Sequence, residues 1–221
     1  GSKIALLLET TVWGRSNFQA ISKTFNKRNT KPIAVEWIDR ADTDVNIQIA
    51  SLQKKNPDIV IMALNAPEGA LAVNTMAARG ANFRIISHWG IAHNNFYTLA
   101  SSALKKIPTL FFQPFKFIDS ENETKNQLMI KIMATEKVNS IYNVNAFAGI
   151  VNAYDLTRML AQSIQRAKST DRKKIKSALE SLRDFKSASC TLNPPFTPKR
   201  HDAIDKKCFV LYRFSEDGRV V

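Results

Sequence analysis

Four side chains able to bind a small molecule follow apolar runs of the sequence. Trp13 comes after the run that ends at Glu9. Asn65 follows DIVIMAL, and His88 and Trp89 end the run FRIISHW. Tryptophan offers a flat apolar ring with one N–H donor, while asparagine and histidine can both donate and accept hydrogen bonds. These residue types suit the binding of a small polar or aromatic ligand.

Each of these residues also has a purely structural interpretation. Trp13 could be a partly buried residue at a corner, Asn65 could cap a helix that begins near Pro67, and His88 could be a surface histidine bonded locally. No apolar periodicity places Trp13 on the core face of the following helix, which favours a ligand-binding role for it. For Asn65 and His88 both interpretations stay open.

Carboxylates near predicted strand ends raise the question of catalysis. Glu9, Asp58 and Glu68 stand there, but general acid–base chemistry needs a pair flanking a reacting bond, and their spacing demands none. The sequence contains no GxSxG, HExxH, GxxxxGK[ST] or GxGxxG motif. His88 and His93 are five residues apart, not the i, i+4 spacing that puts two metal ligands on one helical face. We therefore predict a protein that is not an enzyme and that has no cofactor or metal.

The two cysteines, Cys190 and Cys208, are too far apart for a CxxC redox motif and too few for a structural zinc site. Either two buried thiols or a single disulfide fits this spacing. A single disulfide is possible if the protein is extracytoplasmic. The sequence leaves both alternatives open.

Length and charge limit the class of protein. The chain has 221 residues, 44% of them hydrophobic, and a formal net charge of +13. Such a chain can bury a core in one domain or two small ones. Its basic residues are scattered, apart from the triplet Arg172-Lys173-Lys174, and no basic stripe interleaved with aromatic residues occurs, so nucleic acid is not a predicted partner. No apolar run reaches about eighteen residues.

Apolar runs and helical patterns alternate along the first half of the chain. Buried strands are predicted over Lys3–Glu9, Pro32–Ile38, Asp58–Leu64 and Phe83–Ser87. Helices are predicted over Ser16–Arg28 with Ser16 as a cap, Asp42–Lys55, Pro67–Gly80 and Asn94–Lys106. This alternation predicts an open parallel α/β sheet with helices on both faces. Right-handed connections should then bring the corners at 10–16, 64–67 and 87–94 together at one edge.

The second half has a different character. Pro108–Phe117 contains Pro114 and is predicted to be an edge strand or a crossover between units. Helices are predicted over Asn122–Thr135, over Asn145–Lys168, and from a cap at Ser169 or Thr170 through Leu182. The segment CFVLYRF and the turn after it indicate a strand and a hairpin.

Several blocks of the chain resemble one protein family in order and content. They are LLLETTVWGRSNF, NPDIVIMALNAPEGA, FRIISHWG, NAFAGIVNAYDLTRMLAQSIQRA and RHDAIDKKCFVLYRF. Together they are similar to the type I periplasmic solute-binding proteins, the leucine/isoleucine/valine-binding group and its relatives, over nearly the whole chain. The resemblance implies two α/β lobes with the ligand in the cleft between them, and an aromatic residue, Trp13, that covers the ligand. It also implies that Tyr154 and Asp155 pack a long helix and hydrogen-bond a loop.

The chain departs from the family pattern by opening at the start of the second lobe, so the first lobe is incomplete. The resemblance implies a lobe-two-like α/β domain over 1–118 and 205–221, and a lobe-one-like helical remainder over 119–204. A lobe without its first strands exposes a sheet edge, which makes a homodimer through the incomplete lobe a hypothesis. Amino-acid-binding relatives place an acidic residue for the ligand's ammonium near the position of Trp89. Its absence favours an aromatic or carboxylate ligand, because a buried ammonium needs a counter-charge.

We therefore predict a periplasmic or otherwise extracytoplasmic solute-binding protein of an ABC-type uptake system, with its signal peptide outside this chain. It should bind a small polar, amino-acid-like or aromatic ligand, and its protein partner should be a membrane permease or a sensor. One alternative is the ligand-sensing domain of a signalling receptor. Another is a truncated interaction module that binds no ligand.

Overall fold

A computed structural model describes residues 1–92, 94–115, 123–137, 144 and 147–221. The chain divides into two compact units, Gly1–Phe112 with Leu211–Val221, and Gln113–Val210. His93 and the predicted helix starts at Asn122 and Asn145 lie outside the described residues. Within the described part, no helix is both long enough and apolar enough to cross a membrane.

The first unit is built on a six-stranded sheet. Its strands are β1 (Ile4–Glu9), β2 (Val35–Ile38), β3 (Ile59–Ala63), β4 (Arg84–His88), β5 (Thr109–Gln113) and, near the C-terminus, β8 (Val210–Tyr212). Their spatial order is β2-β1-β3-β4-β5-β8, and the pairs β1–β2, β1–β3, β3–β4 and β4–β5 are parallel. β1 is buried on both faces, as its continuous apolar run predicts. The predicted open parallel α/β sheet is confirmed, with these four pairs parallel.

Four helices belong to the first unit: α1 (Val12–Lys27), α2 (Asn46–Lys55), α3 (Ala66–Ala78) and α4 (Asn94–Leu104). The predicted cap of α1 at Ser16 is wrong. Thr11 is the cap, and its hydroxyl accepts a hydrogen bond from the N–H of Gly14 at 3.3 Å, so the helix begins four residues earlier. α2 begins later than predicted, because Asp42 accepts a hydrogen bond from the N–H of Asp39 in a preceding turn.

The prediction that Pro108–Phe117 forms an edge strand is wrong. β5 lies between β4 and β8, so the edge strands of the sheet are β2 and β8. Pro114 follows the last residue of β5 and therefore removes no hydrogen-bond donor from the ladder. The boundary between the two units falls between Phe112 and Gln113, inside this segment. The alternative prediction, a crossover between units, is therefore confirmed.

The C-terminal hairpin completes the first unit. Phe214 forms an antiparallel bridge with Val220, which confirms the predicted hairpin. The Phe214 ring lies 5.7 Å from the ring of Phe96 on α4 and 5.2 Å from that of Phe111 on β5, measured between centroids. Aromatic pairs at such distances stabilise a core beyond the area that they bury.

The second unit is mainly helical. It contains α5 (Glu123–Glu136), α6 (Phe147–Ala167), α7 (Arg172–Glu180) and a short antiparallel pair, β6 (Phe185–Lys186) with β7 (Thr191–Leu192). The predicted caps of α7 are wrong, because Asp171 is the cap and accepts from the N–H of Lys174 at 3.0 Å. The hydroxyl of Ser169 accepts from the N–H of Asp171 instead.

A disulfide ties the end of this unit together. Cys190 and Cys208 are bonded, with their Cα atoms 5.8 Å apart. Cys208 also belongs to a hydrophobic cluster with Met159, Leu182 and Phe185. Of the two alternatives open from the sequence, the disulfide is the one that the structure contains.

Asp155 fixes α6 to the loop after β6. Its side chain is only 6% exposed, and its two oxygens accept from the N–H of Ala188 at 3.1 and 3.0 Å. Arg158 pairs with the same carboxylate at 3.3 Å, and its guanidinium lies over the ring of Tyr154. Burial raises the pKa of Asp155, and the hydrogen bond from Ala188 and the charge of Arg158 oppose that rise. The predicted helix-to-loop hydrogen bond is confirmed.

Replacing Asp155 with alanine should lower the free energy of unfolding by about 2 kcal/mol, because the buried N–H of Ala188 would lose its acceptor. Asp155→Asn is the matched variant, since its amide oxygen can still accept from Ala188, and it should cost about half as much. Urea unfolding followed by circular dichroism measures both. Equal losses in the two variants would show that this hydrogen bond does not stabilise the unit.

Candidate functional site

The three predicted corners lie together at the carboxyl edge of the sheet. The ring centroids of Trp13 and His88 are 4.9 Å apart in an edge-to-face arrangement. The amide nitrogen of Asn65 donates to Oε2 of Glu9 at 3.1 Å. These contacts link the ends of β1, β3 and β4, as expected where parallel strands end side by side. The convergence predicted from the sequence is confirmed.

Trp13 is fixed by the close approach of α1 to the end of β1. It is the second residue of the helix, and 37% of its surface is exposed. Gly14 lies so close to the backbone of Glu9 that an added Cβ would stand 1.8 Å from the Glu9 carbonyl oxygen. Only glycine permits this contact, so the helix start and its tryptophan are held at the sheet edge.

His88 is a half-buried neutral histidine. Its Nδ1 accepts from the N–H of Gly90 at 2.9 Å, which assigns the proton to Nε2. Nε2 is buried and, among the described residues, has no hydrogen-bond partner. Burial lowers the pKa of His88 to about 4, although the backbone carbonyl of Leu64 and the charge of Glu9 favour its protonated form. His88 is therefore not a surface residue, although the local hydrogen bond that this interpretation expected is present, to Gly90. Its buried Nε2–H makes no hydrogen bond of normal geometry among the described residues, and the Leu64 carbonyl lies near the ring.

Trp89 begins a single turn of 3₁₀ helix, Trp89–Ile91, directly after β4. It is 39% exposed, and its ring meets the ring of His88 nearly at right angles with centroids 5.9 Å apart. A Cβ added at Gly90 would lie 2.3 Å from the His88 ring and 3.0 Å from the amide oxygen of Asn65. Gly90 thus lets these two polar side chains lie close to one backbone turn.

Asn65 occupies the N-cap position of α3, but its side chain makes no capping hydrogen bond. The amide turns instead to the carboxylate of Glu9. The predicted N-cap position of Asn65 is thus confirmed, but the capping hydrogen bond from its side chain is not formed. Asn65 belongs to the polar group at the strand ends.

The sequence did not indicate that Glu9 and Arg40 belong to this site as an ion pair. The Glu9 side chain is fully buried, and Arg40 Nε donates to its Oε1 at 2.6 Å. The register of the sheet explains the pair, because Ile38 at the end of β2 lies opposite Glu9 and Arg40 follows two residues later. Arg40 is 59% exposed, and its two terminal nitrogens make no hydrogen bond within the described part of the chain. Arg40 thereby balances the negative charge of Glu9, and the rest of its planar guanidinium group faces solvent.

The other two carboxylates differ in placement. Asp58 precedes β3 and accepts from the N–H of Lys3 at 2.6 Å, at the amino end of the strands, so it is not part of this group. Glu68 lies in the first turn of α3, where the helix dipole favours negative charge. Its Oε2 is buried without a hydrogen bond among the described residues.

Comparisons with known proteins agree on one fold. Relatives include a Leu/Ile/Val-binding protein homolog 2 of Brucella abortus (strain 2308), 23% identical over 98% of this chain and 55% of that protein. Another, Leu/Ile/Val-binding protein homolog 1 of the same strain, is 24% identical over 84% of this chain and 47% of its own length. The chain thus spans about half the length of these curated relatives.

Solved structures share the fold at low sequence identity. A type 1 periplasmic binding protein from Bordetella pertussis Tohama I superposes with a TM-score of 0.83 at 19% identity, covering 99% of this chain and 60% of that one. A leucine-binding protein from Thermotoga maritima MSB8 superposes with a TM-score of 0.73 at 21% identity, covering 100% of this chain and 59% of that one. The family model described as periplasmic binding protein matches residues 1–219. Because that match covers nearly the whole chain, the protein belongs to the periplasmic binding protein family.

Proposed function

We propose that this protein is the extracytoplasmic solute-binding component of an ABC-type uptake system. Trp13, Asn65, His88 and Trp89 would form one wall of its ligand site. The observation that carries the proposal is the meeting of these side chains at the carboxyl ends of β1, β3 and β4 in a periplasmic binding protein fold. Ligands of open α/β sheets bind at this edge. The Cys190–Cys208 disulfide supports an oxidising, extracytoplasmic location.

The unsatisfied donors favour an aromatic carboxylate as ligand. The solvent-facing terminal nitrogens of Arg40 would gain an acceptor from a carboxylate. The exposed rings of Trp13 and Trp89 would contact the apolar part of such a molecule. Both oxygens of Glu9 are engaged, by Arg40 and by Asn65, so it does not offer a free base, and we propose binding without chemistry.

A branched-chain amino acid is the second candidate ligand. The relatives named for leucine, isoleucine and valine favour it. The buried, unbonded Oε2 of Glu68 could serve as the counter-charge of an ammonium group. The two candidates differ in whether the ligand must carry a positive charge.

Calorimetry with this chain decides between them. We expect phenylacetate to bind and leucine to bind more weakly or not at all. Trp13→Ala should weaken phenylacetate binding by at least about tenfold, since the ring supplies apolar contact area. Trp37→Phe is the matched control. Trp37 is partly buried and packs against Phe18 beside the core, so this substitution should leave affinity unchanged. Binding of leucine alone would favour the amino acid, and binding of neither would favour a non-binding interaction module.

The division into two units supports the assignment of lobes. We propose that residues 1–118 and 205–221 correspond to the second lobe and residues 119–204 to the remainder of the first, since the unit boundaries fall near these positions. The ligand would stabilise a closed state, and a membrane permease would bind that state. A sensor protein in place of the permease is the alternative.

A further inference from the structure

We propose that the connection between α6 and α7 binds the surface of an anionic membrane through negatively charged lipid headgroups. Residues 166–176 read RAKSTDRKKIK and contain six basic residues and one acidic residue. This is the densest positive charge in the chain, and it includes the triplet Arg172-Lys173-Lys174. The inference does not depend on the ligand proposed above.

The basic side chains of this segment are exposed and largely unpaired. All six face solvent: Arg166, Lys168, Arg172, Lys173, Lys174 and Lys176. Lys176 pairs with Glu180 on its own helix. No ion pair or side-chain hydrogen bond involves the other five within the residues that the structure describes. The acidic residue, Asp171, caps the helix. Its carboxylate accepts a hydrogen bond from the backbone N–H of Lys174.

The position of the charges does not serve the stability of the helix. Arg172, Lys173 and Lys174 form the first turn of α7, and that turn contains no acidic residue. The helix dipole favours negative side chains at this end, so three adjacent cations there oppose it. A surface pattern that breaks a local stability rule is expected where function requires it.

The other face of α7 explains how the charges are presented. Leu179 on the helix and Leu182 just after it pack with Met159 and Phe185 in the hydrophobic cluster of the second unit. The apolar face is thus inside and the basic face outside. Residues 166–182 contain no aromatic residue that could stack on a base, which argues against single-stranded nucleic acid. A lipid surface requires only charge density, which four to eight clustered basic residues supply.

The test is co-sedimentation of the full chain with vesicles. We expect binding to vesicles of phosphatidylglycerol and phosphatidylcholine but not to phosphatidylcholine alone. The triple variant Arg172→Glu/Lys173→Glu/Lys174→Glu should lower the partition coefficient roughly a hundredfold. The matched control reverses three dispersed, exposed lysines, Lys31→Glu/Lys55→Glu/Lys105→Glu, and changes the net charge equally. This control variant should lower the partition coefficient by less than about tenfold.

Thermal melting separates this effect from unfolding. Acidic residues in the first turn of α7 are favourable, so the triple variant should melt at or above the temperature of the original protein. Should it melt lower, the neutral variant Arg172→Gln/Lys173→Gln/Lys174→Gln gives the same comparison without new carboxylates. Three results would overturn the proposal: unchanged vesicle binding, an equal loss in the matched control, or tighter binding to double-stranded DNA than to the anionic vesicles.

Discussion

Gly14→Ala is expected to lower the free energy of unfolding by about 3 kcal/mol or more. A Cβ at residue 14 would lie 1.8 Å from the carbonyl oxygen of Glu9 and 2.7 Å from its carbonyl carbon. Both atoms belong to the backbone of β1, a strand buried on both faces, so no side-chain rotation relieves the contact. Either α1 moves away from the strand end or the sheet distorts.

The same substitution should disturb the candidate site. Trp13 precedes Gly14 in the first turn of α1, so a shift of that turn breaks the contact between Trp13 and the ring of His88. Urea unfolding measures the loss of stability, and near-ultraviolet circular dichroism reports the changed tryptophan environment. Both signals should change together.

The matched control for Gly14 is Gly149. It is an exposed residue of α6, and an added Cβ would meet no atom of the described residues within 4 Å. Gly149→Ala should therefore stabilise the protein by about 0.5 kcal/mol through the better helix propensity of alanine. If Gly14→Ala unfolded at the same urea concentration as the original protein, α1 would not rest on the end of β1 as described.

The core strands could be predicted from the sequence because each is a continuous apolar run. β1 begins one residue inside its predicted bounds, and β3 is one residue shorter than predicted at each end. Helix starts were less predictable, since several polar residues compete as caps. Thr11 rather than Ser16 caps α1, and Gly14 permits the helix to begin this close to the end of β1.

The candidate site could be predicted only where a residue type alone indicated it. Trp13 and His88 stand at strand ends, and their contact follows from the parallel order of the strands. The ion pair of Glu9 with Arg40 depends on which strand lies beside β1 and in what register, which one sequence does not specify. The same holds for the disulfide, since spacing leaves free thiols and a bond equally acceptable.

The stability of the protein should fall as the pH is lowered from about 6.5 to about 4, with His88 contributing about 3 kcal/mol of the fall. Burial lowers the pKa of His88 in the folded protein from 6.5 to about 4. Between these values the unfolded chain binds a proton at this histidine and the folded protein does not. Protonation of His88 therefore favours the unfolded state. The part of the stability that is lost at low pH is fully present above pH 6.5.

His88→Asn should remove this part of the pH dependence. The asparagine oxygen can accept from the N–H of Gly90 in place of Nδ1, and the residue does not titrate. Urea unfolding at several pH values between 4 and 7.5 measures how the free energy of unfolding depends on pH. We expect the total fall in this free energy from pH 7.5 to pH 4 to be about 3 kcal/mol smaller in the variant. Groups such as Asp155 contribute alike to both proteins. His201→Asn, at an exposed histidine, is the matched control and should keep the original slope. Parallel curves for His88→Asn and the original protein would mean that His88 is not buried in its neutral form.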